Sequence, residues 1–117
     1  MIYLTRDEIL AANDLAREQV DVPEWGGKVL ISAMSGTDRD AFERTIITDK
    51  SKDAAQANFR ALLVAFTAVD EQGNRLFTLA DVEALGRKSS PALTRCALVA
   101  QRINGLAPDS VEQAKGN

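Results

Sequence analysis

The sequence predicts an α+β fold: a helix-dominated single domain of about five helices with one small β-hairpin near the N-terminus. Three observations carry that expectation. Apolar residues recur at spacings of three and four in several segments, as one face of a helix requires. Ser or Thr stands three residues before an acid at several points, the pattern of a helix start. Only one pair of branched, apolar segments flanks a Pro/Gly turn.

The elements follow in order. At Leu4-Thr5-Arg6-Asp7-Glu8-Ile9, Thr5 and Glu8 can form a reciprocal capping box while Leu4 and Ile9 staple it, so a short helix runs from about Arg6 to Ala12. Val20-Asp21-Val22 alternates like a strand, Pro23-Glu24-Trp25-Gly26-Gly27 supplies the turn, and Val29-Leu30-Ile31 is the returning strand. Trp25 is placed to fold back over that sheet. Ser35 with Asp38, or Thr37 with Asp40, caps a helix to about Thr48, with Phe42 and Ile46 one turn apart on its inner face. Thr48 to Asp53 reads as a polar linker.

From about Asp53 to Val69, Phe59, Leu62, Phe66 and Val69 form one apolar line, and Ala54, Ala57, Ala61, Ala65 and Ala68 a second. Gln56, Arg60 and Thr67 leave only a narrow polar stripe, so this helix is expected at the centre of the core. A Gly73-Asn74 turn precedes a second capping box, Thr78 with Asp81, and a short helix ending near Gly86. Ser90-Pro91 opens the last long helix and Asn104-Gly105 closes it. The domain is thus expected over 1–106, with 107–117 as a flexible tail.

Composition narrows the function. The 117 residues are 45% apolar and 26% charged, with a net charge of −3, which is ordinary globular usage. Lys and Arg are scattered rather than gathered in a stripe, so no nucleic-acid footprint is expected. The longest mainly apolar stretch, Ala61 to Val69, falls far short of the roughly 20 residues of a membrane span, and no signal pattern opens the chain. A cytoplasmic protein without membrane contact is expected. Histidine is absent and Cys96 is the single cysteine, which weighs against acid/base enzymes and transition-metal sites. No cofactor is expected.

Four local patterns resemble chemistry. Asp70 to Asp81 has the length of an EF-hand loop, but Arg75 stands where the turn needs glycine and Asp81 replaces the bidentate glutamate. Asp38 with Asp40, and Asp81 with Glu83, are accounted for by helix capping. Gly26-Gly27-Lys28 lacks the remaining elements of a phosphate loop. Cys96 lies among Ala92, Leu93, Ala97 and Ala100, where a small core residue belongs. The candidate site is instead a contact surface. Arg95, Leu98 and Arg102 lie three and four positions apart on the outer face of the last helix, an apolar side chain flanked by arginines. Trp25 on the hairpin is a second candidate contact.

Val22-Pro23-Glu24-Trp25-Gly26-Gly27 before a strand, followed by Ser35-Gly36-Thr37-Asp38-Arg39-Asp40-Ala41-Phe42, resembles the phage tail assembly chaperones of lambdoid and related siphoviruses. The second half is similar in order as well: Val69-Asp70-Glu71, Leu76-Phe77-Thr78, Asp81-Val82-Glu83-Ala84-Leu85-Gly86, Lys88-Ser89 and Arg102-Ile103-Asn104-Gly105-Leu106. The resemblance implies a host-cytoplasmic binding protein that keeps the tape measure protein soluble, helps recruit tail tube protein, and is absent from the finished virion. It implies the short product of a gene whose frameshifted form adds a tube-binding domain. A homo-oligomer is expected, because a long client needs many copies, and the last helix is the expected surface for client and neighbour alike. The alternative is a generic helical adaptor or a calcium-responsive EF-hand-like module resting on Asp70 to Asp81.

Overall fold

The computed structural model describes residues 3–48 and 58–106. Among the described residues, five α-helices and a three-stranded antiparallel sheet build the fold. The expected polar linker, the expected onset of the central helix from Asp53 with Gln56, and the tail 107–117 lie outside the described residues.

Helix α1 (Arg6–Ala11) forms where the capping box predicts it. The Glu8 amide donates to Thr5 Oγ1 at 3.2 Å, and the Thr5 amide donates to Glu8 Oε1 at 2.9 Å. None of its residues is buried.

Strands β1 (Arg17–Val22) and β2 (Gly27–Ser32) pair antiparallel from Arg17↔Ser32 to Val22↔Gly27. A 3-10 turn over Pro23–Trp25 joins them, and Gly26, at φ 77°, closes it in the left-handed region that glycine enters without a Cβ penalty. Opposed residues share a face, so Glu18, Val20 and Val22 look the same way as Ile31 and Val29. That face meets the core: Val20, Val22 and Ile31 are buried, with Trp25 and Val29 packed at the margin.

Helix α2 (Gly36–Thr48) is capped by Ser35, whose Oγ accepts from the Asp38 amide at 3.1 Å. Ser35 rather than Thr37 is therefore the functioning cap. Phe42 is buried, and its ring meets Phe59 and Phe66 edge-on at centroid distances of 6.0 and 5.5 Å, geometry favoured by the aromatic quadrupole.

Helix α3 (Phe59–Thr67) is the centre of the core, buried continuously from Ala61 to Thr67. Two expectations change here. Thr67 is not part of a polar stripe; it is fully buried and its hydroxyl donates to the Leu63 carbonyl at 2.7 Å, which satisfies it inside the helix. The helix also stops two residues before Val69. Ala68–Val69 forms strand β3, pairing Leu30↔Val69 and Ile31↔Ala68 on the free edge of β2. A run that is apolar on every side fits a buried helix and a buried strand equally, and the open sheet edge decides the outcome.

Thr78 and Asp81 form the expected capping box, which opens a 3-10 turn over Leu79–Asp81 before the short helix α4 (Val82–Gly86). Helix α5 (Ser90–Ile103) is capped by Ser89, whose side chain accepts from the Ala92 amide, with Pro91 in the first turn. It lays Ala92, Leu93, Cys96, Ala97 and Ala100 against the core and crosses both α3 and the sheet. Small residues on that face permit the close approach.

Candidate functional site

Residues at positions i, i+3 and i+7 of a helix project from one side, and α5 thereby turns Arg95, Leu98 and Arg102 away from the core face. Leu98 is 46% exposed, between the two arginines. The sequence spacing and the structure thus agree that Leu98 lies on the outer face of α5.

The arginines are engaged within the chain. Arg95 grips Glu24 of the hairpin turn with two parallel bonds of 2.9 and 3.0 Å, and Nη1 also donates to the Asp21 carbonyl at 3.3 Å. Arg102 reaches Glu18 of β1. Two ion pairs thus fasten the outer margin of α5 to the hairpin, one at each end of the strand. Bonding to Arg95 pulls the Glu24 carboxyl down from its usual 4.5 to about 2, and bonding to Arg102 likewise lowers Glu18. The same contacts hold Arg95 and Arg102 more firmly protonated.

Trp25 is half-buried against the core beside this clamp. The hairpin turn and α5 are thereby one surface: Glu24 contacts Arg95, and Trp25 follows it in the chain. Beside Leu98, a shallow depression is lined by Ser90, Pro91, Thr94 and Arg95. Glu18 and Glu24 carry no mark in the sequence that would assign them to this surface, because they stand 84 and 71 residues from their partners.

Beneath the clamp, Cys96 is fully buried, and burial pushes its thiol up to about 11. A thiol in that state is a packing group and not a nucleophile.

In the loop from Asp70 to Asp81, the Asp70 and Asp81 carboxylates are both used internally. Asp70 Oδ1 accepts the amides of Gln72 and Asn74, each at 2.9 Å, an arrangement that fixes a turn around Gly73 at φ 89°. Arg75 turns back to the core, donating to the Ala65 carbonyl at 3.2 Å with its guanidinium 4.2 Å from the centre of the Phe66 ring. Asp81 Oδ2 accepts the Thr78 amide. Among the described residues no group of three or more acids or cysteines is gathered as metal ligands would be.

A second concave surface lies between α2 and the segment before α4. It is a groove of about 510 Å³ lined by Ala41, Arg44, Phe66, Arg75, Phe77 and Leu79 among others. The sequence reading did not single it out, since its walls come from segments that are far apart in the chain.

Comparison with known proteins bears directly on this architecture. The family model described as phage tail assembly chaperone matches residues 5–116. No curated protein matches the chain. Among solved structures, the tail assembly chaperone of bacteriophage HK97 is similar in fold at a TM-score of 0.60, with 20% identity, over 83% of this chain and 94% of that one. With a family match extending over nearly its whole length, the chain belongs to the phage tail assembly chaperones.

Proposed function

We propose that this chaperone keeps the tape measure protein soluble in the cytoplasm of the infected cell and aids recruitment of tail tube subunits. In this reading it leaves before the virion is complete and works in several copies along each client. Membership of the chaperone family is the observation that carries the reading. The α5 face supplies the client contact. Leu98 is an exposed apolar side chain on a rigid helix, and the Arg95–Glu24 and Arg102–Glu18 pairs hold its surroundings in place. An apolar contact framed by satisfied ion pairs suits amphipathic client segments, because no unpaired charge has to be desolvated when a segment docks.

Co-expression with the tape measure protein tests this. Leu98→Asp, at a position with half its surface in water, is expected to fold normally yet leave more of the client in the insoluble fraction. Full protection of the client by a folded Leu98→Asp variant overturns the assignment of this face.

A further inference from the structure

Asn104 and Gly105, at the end of α5, form a dipeptide with a chemistry of its own. Asn13, Asn58 and Asn74 precede Asp14, Phe59 and Arg75, whereas Asn104 precedes a glycine. The side-chain amide of an asparagine is open to attack by the backbone nitrogen of the next residue, and a following glycine, which has no Cβ, leaves that approach unhindered. Gly105 is exposed, at φ 63°, and a Cβ there would meet nothing within 4 Å, so water and base reach the dipeptide freely.

The folded chain holds the two reacting atoms apart. At ψ 1°, the Gly105 nitrogen eclipses the amide nitrogen of Asn104 itself and is turned away from Cβ and Cγ. Joining it to Cγ requires rotation about the Asn104 Cα–C bond, and three hydrogen bonds oppose that movement. The Asn104 carbonyl accepts from Arg39 Nη1 at 3.0 Å, the Gly105 amide donates to the Arg102 carbonyl at 3.3 Å, and Asn104 Oδ1 accepts the Met34 amide at 2.6 Å. Bonds that tie the end of α5 to α2 and to the segment after β2 are therefore also the restraint on the reaction. They lie at a helix terminus, where local opening takes less free energy than unfolding of the core.

We propose that Asn104 is a site of spontaneous deamidation, gated by local release of this junction rather than by global unfolding. The Gly105 nitrogen gives its proton to water or hydroxide and bonds to Asn104 Cγ. The Cγ–Nδ2 bond breaks, and Nδ2 takes up a proton and leaves as ammonia. Water then opens the five-membered imide at either carbonyl, giving aspartate or, with the main chain rerouted through Cβ and Cγ, isoaspartate. Neither product keeps the Nδ2 donor to the Ala100 carbonyl, and a carboxylate oxygen there faces that carbonyl without a proton between them. Isoaspartate also carries its carboxylate on Cα, away from the position that Oδ1 holds opposite Met34. The change runs one way, so each chain has a limited life with α5 held firmly across the sheet. It is independent of the client face, and its test needs no client.

Peptide mapping by mass spectrometry, on folded protein and on protein in urea at mildly alkaline pH, tests this. In urea, Asn104 is expected to convert first among the asparagines, and Gly105→Ala to slow it by about tenfold or more through the added Cβ. Folded wild type is expected to convert about tenfold or more slowly than in urea, since only opened junctions react. Arg39→Gln, which frees the Asn104 carbonyl, is expected to convert several times faster than wild type while folded, beyond any rise in its globally unfolded fraction measured by urea melts. Purified deamidated protein is expected to melt below the unmodified chain, with its Met34 amide less protected from hydrogen exchange. Equal rates in folded and unfolded wild type, an Arg39→Gln rate equal to wild type or accounted for by global unfolding, or a deamidated protein of unchanged stability each overturns the proposal. Conversion in urea that starts at another asparagine, or that Gly105→Ala leaves unslowed, overturns it as well.

Discussion

At the scale of single residues, Arg95 and Arg102 flank Leu98 on α5, and each is held by a carboxylate of the hairpin, Glu24 and Glu18. Arg95, Leu98 and Arg102 were legible as one patch because helical periodicity is local information. That both guanidiniums would be taken by Glu24 and Glu18 was not legible, since ion pairs across 71 and 84 residues depend on how the hairpin meets α5. The pairing has a pH signature. The Glu24 carboxyl lies near 2 in the folded chain and near 4.5 when unpaired, so its contribution is complete above about 4.5 and is lost as pH falls toward 2. Wild type is therefore expected to melt above Glu24→Gln at neutral pH, with the gap closing over that acid range. Melting curves of the two at pH 7, 4 and 2.5 check this, and a gap that is constant with pH excludes an electrostatic origin. Cys96 behaves oppositely. Its buried thiol, raised to about 11, is expected to resist iodoacetamide at pH 8 in the folded protein and to react fully in denaturant.

At the scale of elements, caps and turns were the most readable features because each is closed within four residues. Thr5–Glu8, Ser35–Asp38 and Thr78–Asp81 all bond as their residue types dictate. The boundary between α3 and β3 was not readable, since Ala61 to Val69 is buried throughout and displays no polar face to set a period. What separates helix from strand there is the edge of β2, which offers Leu30 and Ile31 as backbone partners. Within α3, Phe66 is the largest commitment to the core: it is 3% exposed, meets the Phe42 ring and lies beneath Arg75. Phe66→Ala is expected to cost about 3–5 kcal/mol, through lost burial and an unfilled cavity. Arg60→Ala, at a partly exposed position of the same helix, is expected to cost under about 1 kcal/mol. Urea melts of the two variants decide it, and equal midpoints would show that the helix faces are wrongly assigned.

At the scale of the whole molecule, a single polar side chain joins elements that the sequence leaves about 70 residues apart. Asn104 was legible as the stop signal of α5, and its amide does donate to the Ala100 carbonyl at 3.1 Å while Gly105 follows at φ 63°. Its side chain has a further task. Oδ1 accepts the Met34 amide at 2.6 Å, and Nδ2 donates to the Ala100 carbonyl at 2.9 Å and toward the Ser32 carbonyl at 3.5 Å. The Asn104 carbonyl in turn accepts from Arg39 of α2 at 3.0 Å. The end of β2, the approach to α2 and the end of α5 therefore meet at one residue, which sets how the last helix lies across the sheet and hence where Leu98 faces. Asn104→Ala is expected to cost about 1–3 kcal/mol, because the partly buried Met34 amide loses its acceptor and no other side chain replaces it. Asn104→Asp keeps that acceptor but sets carboxylate oxygen against the Ala100 carbonyl, so it is expected to destabilise as well. Hydrogen exchange distinguishes a local tie from a general loss of stability: the Met34 amide should lose protection in Asn104→Ala beyond the global change, and should retain relatively more in Asn104→Asp. A Met34 amide equally protected in both variants would mean that the junction is held by packing alone, and that Asn104 serves only as the end of its helix.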